Sequence, residues 1–126
     1  MKIALVTDDH QTISAHFGRA EFYEVFTIEA GKVTARETFA KDNHKVIALG
    51  EQPASNGGHQ HQHDHNAMIV PIADCKALLT RGMGTGAHFS LKEYGIQPII
   101  TDIREIESAV DAYIAGTIAN HPEKLH

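Results

Sequence analysis

Two loops hold the residue types best suited to chemistry, and each follows an apolar run. The first leads from Asp8-Asp9 to His16-Phe17-Gly18-Arg19, after Ile3-Ala4-Leu5-Val6. The second is Arg81-Gly82-Met83-Gly84-Thr85-Gly86, after Ala77-Leu78-Leu79. Together they offer an imidazole, two guanidinium groups and a stretch of backbone amides. Amides at a helix start converge on anions, aided by the helix dipole, and Arg81 can add a fork of donors. Such a set suits an anionic or metal-containing ligand better than a hydrolytic reaction. The plain alternative is a tight strand-to-helix turn that needs glycine only for its shape. Gly82, Gly84 and Ala87, with Asp102 twenty residues past Gly82, also match part of a dinucleotide fingerprint. Too little chain follows to build the usual nucleotide fold.

Other residues carry weaker signals. A lone histidine such as His16 is more often satisfied by hydrogen bonds than bound to metal; the second loop is what raises it to a candidate. Phe17 is expected to pack inward and hold its loop. Cys75, the one cysteine, is either a small buried hydrophobe or a ligand whose thiolate needs nearby positive charge. Asp8 and Asp9 read as turn residues or caps, with Mg²⁺ binding alongside Asp102 the alternative. Ser14 and Ser90 have no His-and-acid partners within a motif. The heptapeptide holding His59, His61, His63 and His65 places imidazoles at every second position. An extended chain puts all four on one side, where they would chelate nickel, copper or zinc, with His44 and Asp64 able to join.

The elements that must position these groups follow from patterning. Residues 2–7 read as a buried strand, and 22–28, rich in aromatic and β-branched residues, as another. Residues 32–39 alternate Val33, Ala35, Glu37 and Phe39 against polar neighbours, like a half-exposed strand. The turn 29–32, with Gly31 supplying positive φ, makes these two an antiparallel hairpin. Residues 40–64 show no periodicity and read as a flexible His-rich loop. A short helix is expected within 66–74, a strand at 77–80, a helix at 85–94, a strand at 98–101 and a helix at 104–115. The order β-β-β-α-β-α-β-α, with right-handed crossovers, predicts a three-layer α/β domain with a mixed sheet and strands one and four side by side. In such sheets ligands collect beyond the carboxyl ends of the strands, where both loops would lie.

Size and composition agree. The 126 residues make about one domain, spanning 1–126. A formal net charge of −5 argues against nucleic-acid binding. No apolar stretch approaches membrane-spanning length, and the single cysteine permits no internal disulfide, so a reduced, cytoplasmic location is expected.

The run from Met1-Lys2-Ile3-Ala4 to Asp8, followed by Ile13-Ser14-Ala15-His16-Phe17-Gly18-Arg19-Ala20, resembles the opening of the dinitrogenase iron–molybdenum cofactor biosynthesis family. So do Ile72-Ala73-Asp74-Cys75, Arg81-Gly82-Met83-Gly84, Tyr94-Gly95-Ile96 and Ile100-Thr101-Asp102. The closing stretch with Ala109-Val110 and Tyr113-Ile114-Ala115-Gly116 fits as well. The resemblance implies a ribonuclease-H-like fold, a five-stranded sheet in order 3-2-1-4-5 with strand two antiparallel, and helices on both faces. It implies a non-enzymatic carrier of an iron–sulfur or molybdenum–iron–sulfur cluster or its precursor, meeting cluster-assembly or acceptor proteins. Carried onto this chain it favours His16 and Gly82–Gly86 as the binding region and leaves Cys75 open between ligand and core residue. The tract at 59–65 lies outside the common core, so a divalent-metal buffer acting there is a second reading. A small nucleotide-binding module is a third.

Overall fold

Five of the six residues of β1 (Lys2–Thr7) are buried, so this strand must be covered on both sides. The computed structural model describes residues 1–41 and 68–125. In it β1 runs antiparallel to β2 (Phe22–Glu29) and parallel to β4 (Ala77–Thr80). β3 (Lys32–Ala40) and β5 (Gln97–Ile100) are the margins, giving the sheet order β3-β2-β1-β4-β5. The expected order, the antiparallel second strand and the β1–β4 pairing are all present. At the hairpin, Gly31 has φ 77° and Ala30 shares the left-handed conformation with φ 54°, the pair of positive values that suits the twist of a two-residue turn.

Opposed residues in paired strands share a face. Ile3 lies opposite Phe26 and beside Ala77, and Leu5 opposite Glu24 and beside Leu79. Helix α2 (Ile106–Ala115) covers this face with Ile106, Ala109 and Val110 buried. Helix α1 (Thr85–Glu93) joins the parallel neighbours β4 and β5 and covers the other, burying Ala87 and Leu91.

Several boundaries differ from expectation for identifiable reasons. α2 starts at Ile106 rather than 104, because Glu105 is extended and bridges Thr12. β5 begins one residue early. Pro98 is tolerated there because the amides of Gln97 and Thr101 donate inward to Lys76 and Thr80, so position 98 faces the free margin where no donor is missed. Of the helix expected within 66–74, Met68 and Ile69 are helical and pass, around Pro71, into a 3₁₀ turn at Val70–Ile72, while residues 66–67 lie outside the described residues. β3 departs most. Instead of being half-buried, residues 32–38 are all exposed and only Phe39 packs partly against the core. Its alternation called for a covering layer, and the described elements do not extend that far. The segment from 117 returns to β5: Asn120 Oδ1 accepts from the Ile100 amide at 2.9 Å, and His121 N–H donates to the Ile100 carbonyl at 2.8 Å. Further on, Leu125 bridges Met83. Among the described residues no helix is long and apolar enough to cross a membrane.

Candidate functional site

The two chemistry-bearing loops meet directly. Arg81 N–H donates to the Ser14 carbonyl, and Phe17 N–H to the Gly82 carbonyl, both at 3.0 Å. The Thr80 hydroxyl donates to the Gly82 carbonyl at 2.8 Å, fixing the turn where β4 ends. Phe17 and Met83, each only 1% exposed, anchor the two loops in the core. The backbone around Phe17 closes through the amides of Arg19 and Ala20 on the His16 carbonyl. What stays at the surface is the rim: His16, Gly18 and Arg19 from one loop, Thr85 and Gly86 from the other, with Arg81 and Gly84 half-buried.

Gly84 is the N-cap of α1 and carries no side chain to bond the first-turn amides. Its backbone (φ −84°, ψ 164°) is open to any residue. A Cβ built there would meet no described atom within 4 Å. Neither conformation nor packing among the described residues therefore demands glycine at 84. Open space over uncapped helix amides is the arrangement that receives an anion.

Some expected residues lie elsewhere. Cys75 precedes β4, at the strand end opposite Arg81, about 20 Å away by strand rise. Burial, with Asp74 adding to it, pushes its thiol up to about 12, so it is a neutral buried group at ordinary pH. Asp9 is a turn residue: its carboxylate accepts from the amides of Thr12 and Gln11 at 2.8 and 2.9 Å, and these bonds hold it near 2. Asp8 accepts from the Glu21 amide. Among the described residues no group of three or more His, Cys, Asp or Glu side chains could hold a metal ion. His59, His61, His63 and His65 lie outside the described residues.

Two features beside the loops were missed. Lys41 is buried, with its ammonium 4.8 Å from the Phe17 ring centre, 5.8 Å from that of Tyr23, and 3.3 Å from Met68 Sδ. A single lysine at a strand end gives no sequence signal of burial. The second is Glu24, buried under α2's side of the sheet. It accepts from His10 Nδ1 at 2.6 Å, from Arg36 Nε at 3.0 Å and from the Thr38 hydroxyl at 3.0 Å. Here a signal existed: in β2, Glu24 is in phase with Phe22, Phe26 and Ile28. Burial pushes Glu24 up, but the bonds from His10, Arg36 and Thr38 outweigh it and its carboxyl lies below the usual value.

Residues 1–116 match the family profile described as dinitrogenase iron–molybdenum cofactor. The chain belongs to that family. A curated relative is an uncharacterized protein of Methanocaldococcus jannaschii, 25% identical over 118 residues that cover 94% of this chain and 89% of the relative. Among solved structures, the protein PH0822 superposes with a TM-score of 0.70 at 22% identity, covering 98% of each chain. The apo form of the orange protein of Desulfovibrio gigas gives 0.66 at 18% identity, over 96% of this chain and 92% of the other. These likenesses speak for the shared α/β fold of family members. Position by position, the family match spans both loops, β1 to α2, and stops where the returning segment begins.

Proposed function

We propose that this protein is a non-enzymatic carrier of an anionic metal–sulfur cluster, either iron–sulfur or molybdenum–iron–sulfur, held on the rim of the two joined loops. The observation that carries the reading is the start of α1, which has no side-chain cap among the described residues and where a Cβ at Gly84 would meet no described atom within 4 Å. Cluster sulfides accept hydrogen bonds, and amide donors offset their negative charge. The amides of Thr85 and Gly86 supply donors, Arg19 and Arg81 supply positive charge, and His16 supplies a metal ligand. Phe17, Gly18, Gly82 and Met83 form and anchor the cradle. Against a formal net charge of −5, only such local donors can hold an anion. Cys75 has no part in it, and cluster-assembly or acceptor proteins are the natural partners. The family membership supports the same cargo.

The test is anaerobic reconstitution with iron, sulfide and molybdate. The expected result is visible charge-transfer absorption that co-elutes with the protein. Gly84→Val adds a branched side chain whose Cβ meets no described atom, at a backbone conformation open to any residue, so it should fold and lose the bands; His16→Ala should weaken them. A folded Gly84→Val protein with undiminished absorption would refute the site.

A further inference from the structure

The buried carboxylate of Glu24 organises a second place in the molecule, sharing no residue with the loop rim. A cavity of about 400 Å³ is lined by His10, Gln11, Arg36, Glu105, Ile106 and Glu107. A neighbouring cavity of about 320 Å³ shares Arg36 and Glu107 with it and adds Phe26, Val33, Val110 and Asp111. The first is polar and carries both signs of charge; in the second, Phe26, Val33 and Val110 supply apolar surface beside the charged Arg36, Glu107 and Asp111.

The polar groups are held before any ligand arrives. His10 stands at φ 66°, a conformation uncommon for a residue with a side chain. Its amide donates to the Thr7 hydroxyl at 2.9 Å, and its carbonyl accepts from Arg36 Nη2 at 2.8 Å. Nδ1–H donates to the Glu24 carboxylate, so in the neutral ring Nε2 is left as an acceptor. Arg36 lies 5.0 Å over the Phe26 ring, with Nε on Glu24. Fixed donors and acceptors beside apolar surface are what ligand sites use to orient small molecules.

Charge decides the ligand class. Glu24 neutralises one cation, so Glu105 and Glu107 leave the wall acidic, with the His10 Nε2 acceptor beside them. These groups suit an ammonium group. Arg36 has guanidinium donors beyond its bonds to Glu24 and His10, and these suit a carboxylate. The apolar surface next door suits a branched hydrocarbon. From this we infer that the paired cavities bind a free α-amino acid with an apolar side chain: the ammonium at Glu105, Glu107 and His10, the carboxylate at Arg36, the side chain over Phe26, Val33 and Val110.

The test is an NMR titration of the full chain with four probes: leucine, glycine, isopentylamine and 4-methylpentanoate. Leucine is expected to saturate shifts at His10, Arg36 and the start of α2. Each of the other three lacks one recognised group and should bind about tenfold more weakly or worse, the loss of one charge-assisted bond or of the apolar contact. Glu107→Gln, at an exposed position, should fold normally and weaken leucine to a similar degree. Absence of saturable leucine binding would overturn the proposal. So would isopentylamine or 4-methylpentanoate matching leucine, since the site would then read one charge only, or glycine matching it, since the apolar surface would be idle.

Discussion

Glu24→Gln tests the reasoning about buried charge most directly. The side chain is 1% exposed and accepts from His10, Arg36 and Thr38. Glutamine keeps the shape and one acceptor oxygen but places an NH₂ group against a donor. Two charge-assisted bonds lose their charge, each worth about 1.5–3 kcal/mol. The 45% and 35% exposure of the His10 and Arg36 side chains screens part of that. A loss of about 3 kcal/mol is expected at about pH 7, on the order of 10 °C in Tm. The pH dependence has a fixed sign. Because the folded carboxyl lies below its ordinary value of 4.5, its contribution is present above that value and is lost as pH falls through the folded pKa. Urea unfolding followed by circular dichroism should therefore show the two proteins converging in acid. A gap under about 1 kcal/mol at neutral pH, or one that stays constant into acid, would refute the argument.

Further outcomes follow from other parts of the chain. The Cys75 thiol, pushed up to about 12, should resist iodoacetamide in the native protein and react on unfolding; prompt native labelling would contradict its burial. The same shift means that the stability it contributes fades as pH rises from the ordinary thiol value of 9 towards 12. Asn120→Ala strands the Ile100 amide and should lower stability by about 1–2 kcal/mol in denaturant titrations, whereas Asn120→Asp, which keeps the acceptor, should lower it less. Removing residues 59–65 should abolish tight nickel or zinc uptake measured by calorimetry; retained uptake would place the metal elsewhere.

Period and punctuation made the sheet legible. Continuous apolar runs marked β1 and β4 as central, and the turn at Ala30-Gly31 fixed the hairpin. The meeting of the His16 and Gly84 loops was also foreseeable, because both follow the carboxyl ends of adjacent parallel strands. What could not be read depended on contacts remote in sequence. β3 alternates as if covered, yet cover must come from another element, and α2 stops short of it. Cys75 sits close to Arg81 in sequence, but an intervening strand carries the two to opposite ends of the sheet. Lys41 looks like any solvated lysine until Phe17 and Tyr23 are folded beside it. Glu24 is the instructive case, since its hydrophobic phase announced burial while its partners His10 and Arg36 lie 14 and 12 residues away.

Pro98 gives the two borders of the sheet different fates. Along β5 it removes one amide, and Asn120 with His121 occupies the amide and carbonyl of Ile100. An incoming foreign strand finds few main-chain groups there to zip onto. β3 has no such plug among the described residues; Lys32, Arg36 and Glu37 stud it with charge instead. Shortening the chain before Asn120 would thus open a second edge to strand addition, beside the one that the described residues leave at β3.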